Sequence, residues 1–206
     1  MIKNWIIKDA DKDIINKLSQ TLNVSEIIAH LLTLRGIQNF KQAKKFFRPK
    51  LSDLHDPFLM KNMNSAIKRI EHAIVNKEKI LVYGDYDVDG TTSVSMMFNF
   101  LKKQTVEVDY YIPCRYKEGY GISLNGIDYA HNNNFSLIIA LDCGIRANKQ
   151  IEYANTKQID FIICDHHTPS NKIPSAYSIL NPKQIDCQYP YKHLSGCGVG
   201  FKLIQA

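Results

Sequence analysis

The sequence predicts an α/β protein, a parallel sheet flanked by helices and preceded by a small helical segment. Two observations carry this. From residue 79 onward, short apolar runs alternate with stretches of helical periodicity, the rhythm of strand–helix–strand units whose strands lie parallel. Three of those runs stop abruptly in polar turns: Ile80, Leu81, Val82 and Tyr83 run into Asp85, Asp87 and Asp89, residues 137–141 run into Asp142, and residues 161–164 run into Asp165, His166 and His167. Strands of a parallel sheet present their carboxyl ends on one edge, where open α/β sheets place ligands. Loops far apart in sequence are therefore expected to meet there.

Composition bounds the answer. The 206 residues are 45% hydrophobic and 22% charged, ordinary for a globular chain and enough for one large domain with a small one beside it. The expected division is a helical segment over residues 1–60 and the α/β domain over 61–206. A formal net charge of +6 weakly favours a polyanionic partner, although scattered lysines in a chain rich in isoleucine and asparagine fit coding bias as well. Cys114, Cys143, Cys164, Cys187 and Cys197 form no CxxC pair and read as reduced thiols of a cytoplasmic protein. No apolar run reaches the roughly 18–20 residues of a membrane span, and the amino terminus lacks the apolar stretch of a signal peptide, so no membrane association is expected.

In chain order, residues 1–17 show little pattern beyond Trp5, Ile6 and Ile7. Ile27, Ile28, Leu31 and Leu32 recur at helical spacing between Ser25 and Gly36, and Phe40, Ala43, Phe46 and Phe47 mark a short helix stopped by Arg48-Pro49. Because these aromatics share one helical face, core packing is expected of them rather than base stacking. Met63, Ala66, Ile67, Ile70 and Ile74 predict a longer amphipathic helix leading into the first strand. Thr91 or Thr92 is expected to cap the next helix, which runs through Leu101. A strand over 106–112, a helix over 123–132, a strand over 137–141, a helix over about 147–157 and a strand over 161–164 follow.

The turn after the first strand carries the chemistry. Carboxylates of Asp85, Asp87 and Asp89 repel one another and lose hydration beside an apolar strand, a cost that a hard divalent cation offsets. Oxygen ligands favour Mg²⁺ or Mn²⁺ over zinc. A plain polar turn with Asp87 or Asp89 as helix cap is the competing reading, and three acidic side chains weigh against it. Asp142 suits a helix cap as well as a metal ligand. His166 and His167, adjacent in extended chain, are expected to point opposite ways, one toward metal and the other toward substrate. Arg115, in the loop PCRYKEGYG at another strand end, can clamp a phosphate. Ser195, Gly196 and Gly198, in a glycine-rich turn opening the last helix, could offer N–H groups to one.

With GDYDVDG, LDCG, DHH and LSGCGVGFKL in this order, the chain resembles the DHH phosphoesterase superfamily from Lys79 to its end, and most closely its branch of single-strand-specific DNA exonucleases. The resemblance implies 5′-to-3′ hydrolysis of single-stranded DNA in repair and recombination by a two-ion Mg²⁺ or Mn²⁺ centre. It implies Asp87, Asp89, Asp142 and His166 as metal ligands, His167 on the scissile phosphate, Asp165 orienting the histidines and Asp85 in support. It further implies Arg115, Ser195, Gly196 and Gly198 as substrate contacts. Tyr83 stands where some relatives have a histidine, and Cys197 where alanine is expected. Such enzymes carry another aspartate ligand and a second lobe beyond the position of Ala206, so the domain is expected to be incomplete at its carboxyl end and weak or inactive alone. Two alternatives compete: a non-catalytic module of the same fold, and a haloacid-dehalogenase-type phosphatase using Asp87 of DVDGT as nucleophile.

Overall fold

The computed structural model describes residues 4, 6–104 and 107–206; the expectations for Trp5 and for a strand start at Val106 lie outside them. The chain forms two compact units, Met1–Leu54 and His55–Ala206. The division falls before residue 60 because the carbonyl of His55 accepts from Lys202 Nζ at 2.7 Å and Met60 is buried in the main core. Residues 55–60 therefore pack with the sheet rather than with the amino-terminal helices.

The first unit holds α1 (Lys12–Leu22), α2 (Glu26–Leu34) and α3 (Phe40–Phe47). Asp11, Ser25 and Asn39 cap them, each side chain accepting from N–H groups of the first turn. α1 falls largely where the sequence showed little pattern. Its Ile14, Leu18 and Leu22 lie at i, i+4 spacing and pack on Ala29, Leu32, Ile37 and Ala43, but that stripe crosses residue 17 and is short. In α3 the expected aromatic core is absent: only Ala43 is buried, while Phe40, Phe46 and Phe47 are exposed.

The second unit is a five-stranded sheet in the order β2-β1-β3-β4-β5, every pairing parallel. The strands are β1 (Lys79–Gly84), β2 (Val108–Tyr111), β3 (Phe135–Leu141), β4 (Asp160–Cys164) and β5 (Ser178–Leu180). β5 was not anticipated; its three residues are buried and pair with β4. Helices α4 (Met63–Val75), α5 (Val88–Leu101), α6 (Leu124–Asn132), α7 (Asn148–Thr156) and α8 (Gly196–Gln205) complete the unit. The pleat sorts side chains between two cores. Ile80, Val82, Leu137, Ile139, Leu141, Ile162 and Cys164 pack with residues of α4, α5 and α8. Leu81, Tyr83, Ile138, Ala140, Phe161 and Ile163 pack with residues of α6 and α7. Each large apolar side chain so buried contributes about 1.5–3 kcal/mol, which is why runs apolar on both faces form the central strands.

The order has a consequence for function. β1 leads by one crossover to β2 on its one side, and the chain then returns to place β3 on its other side. The direction in which strands are added reverses between β1 and β3, and this switch point opens a crevice at their carboxyl ends. α5 begins earlier than expected: Asp87, not Thr91 or Thr92, is its N-cap and accepts from Gly90 N at 2.9 Å. Among the described residues no helix is long and apolar enough to cross a membrane.

Candidate metal centre

The ends of β1, β3 and β4 bring Asp85, Asp87, Asp89, Asp142, Asp165, His166 and His167 to one edge of the sheet. Asp142 follows β3 in a left-handed conformation, φ 59°, uncommon for a residue with a side chain outside Asn and Asp. Its N–H still bonds the Cys164 carbonyl at 2.9 Å. The carboxylate is buried; Oδ1 lies 3.1 Å from His166 Nε2, yet no hydrogen bond of good geometry reaches that oxygen. Burial, then the charges of Asp89 and Asp87, push its pKa up to about 7. Gly196 is pressed so closely on it that a Cβ there would stand 2.3 Å from Oδ1. Only glycine can open α8 at this place.

Asp89 is held differently. Its Oδ2 accepts from Gly196 N and its Oδ1 from Cys197 N, both at 2.7 Å, so the carboxylate sits on the positive end of α8. His166 Nε2 is 3.8 Å from Oδ2. Ser195 caps the same helix, accepting from Gly198 N at 3.1 Å. The N–H groups expected to meet phosphate at Gly196 and Gly198 are thus already engaged, by Asp89 and Ser195. Asp85 is buried, with Oδ1 lacking a partner, and its pKa is raised chiefly by burial. Asp87 is exposed and serves α5 as its cap.

At the end of β4 every oxygen is occupied. Asp165 Oδ1 accepts from His166 N at 2.7 Å, His167 N at 3.0 Å and His167 Nδ1 at 2.7 Å; Oδ2 accepts from Ile145 N at 2.9 Å. Burial would push this acid up, but the bonds from His167 and Ile145 outweigh it and hold it below the usual value. The hydrogen bond to Asp165 raises His167 in turn. The two histidine rings stand 4.6 Å apart instead of pointing opposite ways, because the chain has left β4 and turns over the Asp165 carboxylate. Atoms of Asp142, His166 and His167 fall within 4.8 Å of one another. The roles still differ: His166 faces Asp142 and Asp89, whereas His167 is anchored to Asp165 and its Nε2 meets Tyr120 Oη at 3.2 Å.

Tyr120 belongs to the loop PCRYKEGYG noted in the sequence, but neither a role for it nor the scaffold that holds the loop was read there. Tyr83 Oη donates to the Gly121 carbonyl at 2.9 Å and accepts from Ser123 N at 3.0 Å. Glu118 accepts from Tyr111, Cys114 and Ser123. The acidic residue inside a basic, tyrosine-rich loop was the available signal. Arg115 is exposed and lies over the Tyr86 ring, 5.3 Å from its centroid.

Among the described residues the converging donors are the Asp142 carboxylate and the His166 and His167 imidazoles, with Asp89 3.8 Å from His166, oxygen and nitrogen ligands that suit a hard or borderline divalent cation; Asp85 and Asp87 lie outside that group. The nearby thiols do not compete: burial pushes Cys143 and Cys164 far up, keeping them protonated and poor ligands.

Residues 79–206 match the family model described as the DHH family, N-terminal domain. The chain belongs to the DHH family, which removes the haloacid-dehalogenase alternative. It is 43% identical over 202 residues to the single-stranded-DNA-specific exonuclease RecJ of Bacillus subtilis, an alignment covering 98% of this chain and 26% of the relative. A crystal structure of exonuclease RecJ bound to manganese matches with a TM-score of 0.64 at 28% identity, over 70% of this chain and 37% of that one. RecJ in complex with Mn²⁺ from Thermus thermophilus shares the fold with a TM-score of 0.71 at 24% identity, over 93% and 26%. The chain spans about a quarter of the length of the B. subtilis relative.

Proposed function

We propose that this chain is the metal-binding lobe of a single-stranded-DNA-specific exonuclease, one that cleaves phosphodiesters from the 5′ end in cytoplasmic DNA repair and recombination. The observation that carries the reading is the Asp142 carboxylate, buried at the β1/β3 switch point with an oxygen that accepts no hydrogen bond and lies 3.1 Å from His166 Nε2; likeness to RecJ supplies the substrate class. Asp87, Asp89, Asp142 and His166 would hold two Mg²⁺ or Mn²⁺ ions, with Asp85 in support. Such ions make water a nucleophile near neutral pH and neutralise charge on phosphoryl oxygens.

The chain's own residues do the rest. α8 fixes Asp89 by two backbone hydrogen bonds, so its oxygens are placed before any cation arrives. Asp165 takes the Nδ1 proton of His167 in a hydrogen bond and favours the cationic ring, turning Nε2 outward as a donor for a phosphate oxygen. Arg115, which lies exposed over Tyr86, would meet a second backbone phosphate. Ser195, Gly196 and Gly198 act through α8, by capping it and admitting the close approach to Asp142.

The test has two arms. Calorimetric titration of the 206-residue chain with Mn²⁺ should give binding that Asp89→Ala weakens; an unaltered isotherm would remove Asp89 from the ligand set. Substituting this chain for the matching 202 residues of the B. subtilis relative should give a protein that releases mononucleotides from 5′-labelled single strands. In that protein His167→Ala should keep the metals and lose hydrolysis; loss of the metals instead would exchange the assignments of the two histidines.

A further inference from the structure

The amino-terminal unit carries a surface that the carboxylate cluster does not use. Phe40, Phe46 and Phe47 of α3 are 54%, 53% and 56% exposed, and Phe46 and Phe47 meet edge to face with centroids 5.1 Å apart. Lys41, Lys44, Lys45, Arg48 and Lys50 are interleaved with them, and residues 40–50 contain no acid. Lys45 approaches Asp53 at 3.8 Å while 63% of its side chain stays exposed, a contact that water screens and that leaves the cation available. Beside the rings opens a hollow of about 480 Å³ lined by Leu22, Val24, Phe40, Phe47, Lys44 and Arg48, roomy enough for a base and its sugar.

The neighbouring helix sharpens the reading by contrast. α2 also exposes Ile27, Ile28, Leu31 and Leu34, but it carries neither lysine nor arginine, so its apolar face says nothing of what covers it. On α3 the rings come with Lys41, Lys44 and Lys45 inside the helix and Arg48 at its C-cap. A second copy of the same face would set those cations against their own kind. A ligand bringing flat π faces and regularly spaced negative charge satisfies rings and cations together, and single-stranded nucleic acid is that ligand. A duplex offers the charge but hides its base faces.

We propose that the solvent face of α3, with the hollow beside it, is a single-strand-binding surface. Bases stack on Phe40, Phe46 and Phe47, and Lys44, Lys45 and Arg48 meet the intervening phosphates. This surface shares a ligand class with the proposed exonuclease but none of its residues.

The test is fluorescence anisotropy of a labelled oligothymidylate with the full 206-residue chain in EDTA, where metal binding plays no part. Phe46→Ala with Phe47→Ala should weaken binding at least about fivefold per ring. Phe46→Leu with Phe47→Leu, which keeps apolar bulk and so guards against loss of the fold, should also weaken it. Lys44→Gln with Lys45→Gln should lower the slope of log affinity against log salt by about 1.4. Unchanged affinity of the phenylalanine variants, or an equal loss on duplex of the same length, would overturn the proposal. So would a change in sedimentation with DNA affinity unaltered, which would give the rings to a second copy. Failure here leaves the Mn²⁺ response of the carboxylates intact, and failure of that response leaves this binding intact, so the two readings are separable.

Discussion

Asp165 at the end of β4, and Asp85 and Asp142 at the ends of β1 and β3, are equally buried and oppositely treated. Asp165 accepts four hydrogen bonds and is held as an anion below its ordinary pKa. Asp85 and Asp142 each keep an oxygen that accepts no hydrogen bond, and burial raises both. A protein able to satisfy one buried carboxylate so fully has not run short of donors. The difference separates a carboxylate that orients its neighbours from carboxylates whose missing partner is a ligand, because an unpaired buried charge is costly unless something external offsets it.

That contrast can be broken most decisively at Asp142. Asp142→Asn keeps the shape and tolerates the left-handed backbone, so it removes charge with little else. Thermal unfolding should show the variant as stable as the parent or more so without metal, and Mn²⁺ should no longer raise its Tm. Affinity should fall by more than the roughly 10–100-fold typical of an outer-shell partner. A variant less stable than the parent, with its Mn²⁺ response intact, would mean that Asp142 is satisfied internally.

Asp165→Asn should do the reverse. An amide cannot accept at both ends, so either Ile145 N or the His167 donors face an NH₂ group, and about 2–3 kcal/mol of stability should be lost in denaturant unfolding. Mn²⁺ affinity should drop only within the outer-shell range. Loss of metal binding with full stability would place Asp165 among the ligands.

A carboxylate at the amino ends of the strands, on the opposite edge of the sheet, serves as a control for full satisfaction. Glu78 accepts from Arg69 Nη2 at 2.8 Å and from Ser136, and Arg69 Nε donates to Asp160 at 2.6 Å. Burial raises Glu78, but the bonds from Ser136 and Arg69 outweigh it, so its folded pKa lies below the reference 4.5. A depressed acid contributes stability above its unfolded pKa and loses it as pH falls through the folded one. Unfolding curves should therefore weaken below pH 4.5, and Arg69→Met should flatten that acid dependence while costing about 2 kcal/mol at neutral pH, less than a fully buried pair because Asp160 is partly exposed. An unchanged acid limb would deny Arg69 this role.

What the sequence made legible was the part written in short range. Apolar runs ending in aspartate or histidine located β1, β3 and β4 and their shared edge, since burial on both faces leaves little room for another pattern. Three residues of β5 carry no such pattern and owe their strand state to pairing with β4. The bond from Asp89 to the start of α8 spans 107 residues, and no local spacing announces it. Periodicity grouped Phe40, Ala43, Phe46 and Phe47 as one packed face of α3, yet only Ala43 is buried, because whether a side chain is covered depends on what folds beside it.

The smallest expected effect concerns Arg115, and it bears on Asp85. The guanidinium lies over Tyr86 and its charge lowers the pKa of Asp85, against the larger push from burial. If Asp85 awaits a cation, Arg115 is free to leave it for phosphate; if Arg115 is its structural partner, the two should be coupled in stability. Arg115 is exposed, so Arg115→Ala should change stability by less than about 0.5 kcal/mol, the usual range for a surface substitution. On single strands it should weaken binding and lower the salt slope by about 0.7, the share of one phosphate contact. Arg115→Lys should restore the slope, because charge alone sets it, without restoring the full affinity that a planar fork provides. A stability loss that disappears in the Asp85→Asn background, with the salt slope unmoved, would make Arg115 the missing partner of Asp85 and bring that carboxylate into line with Asp165.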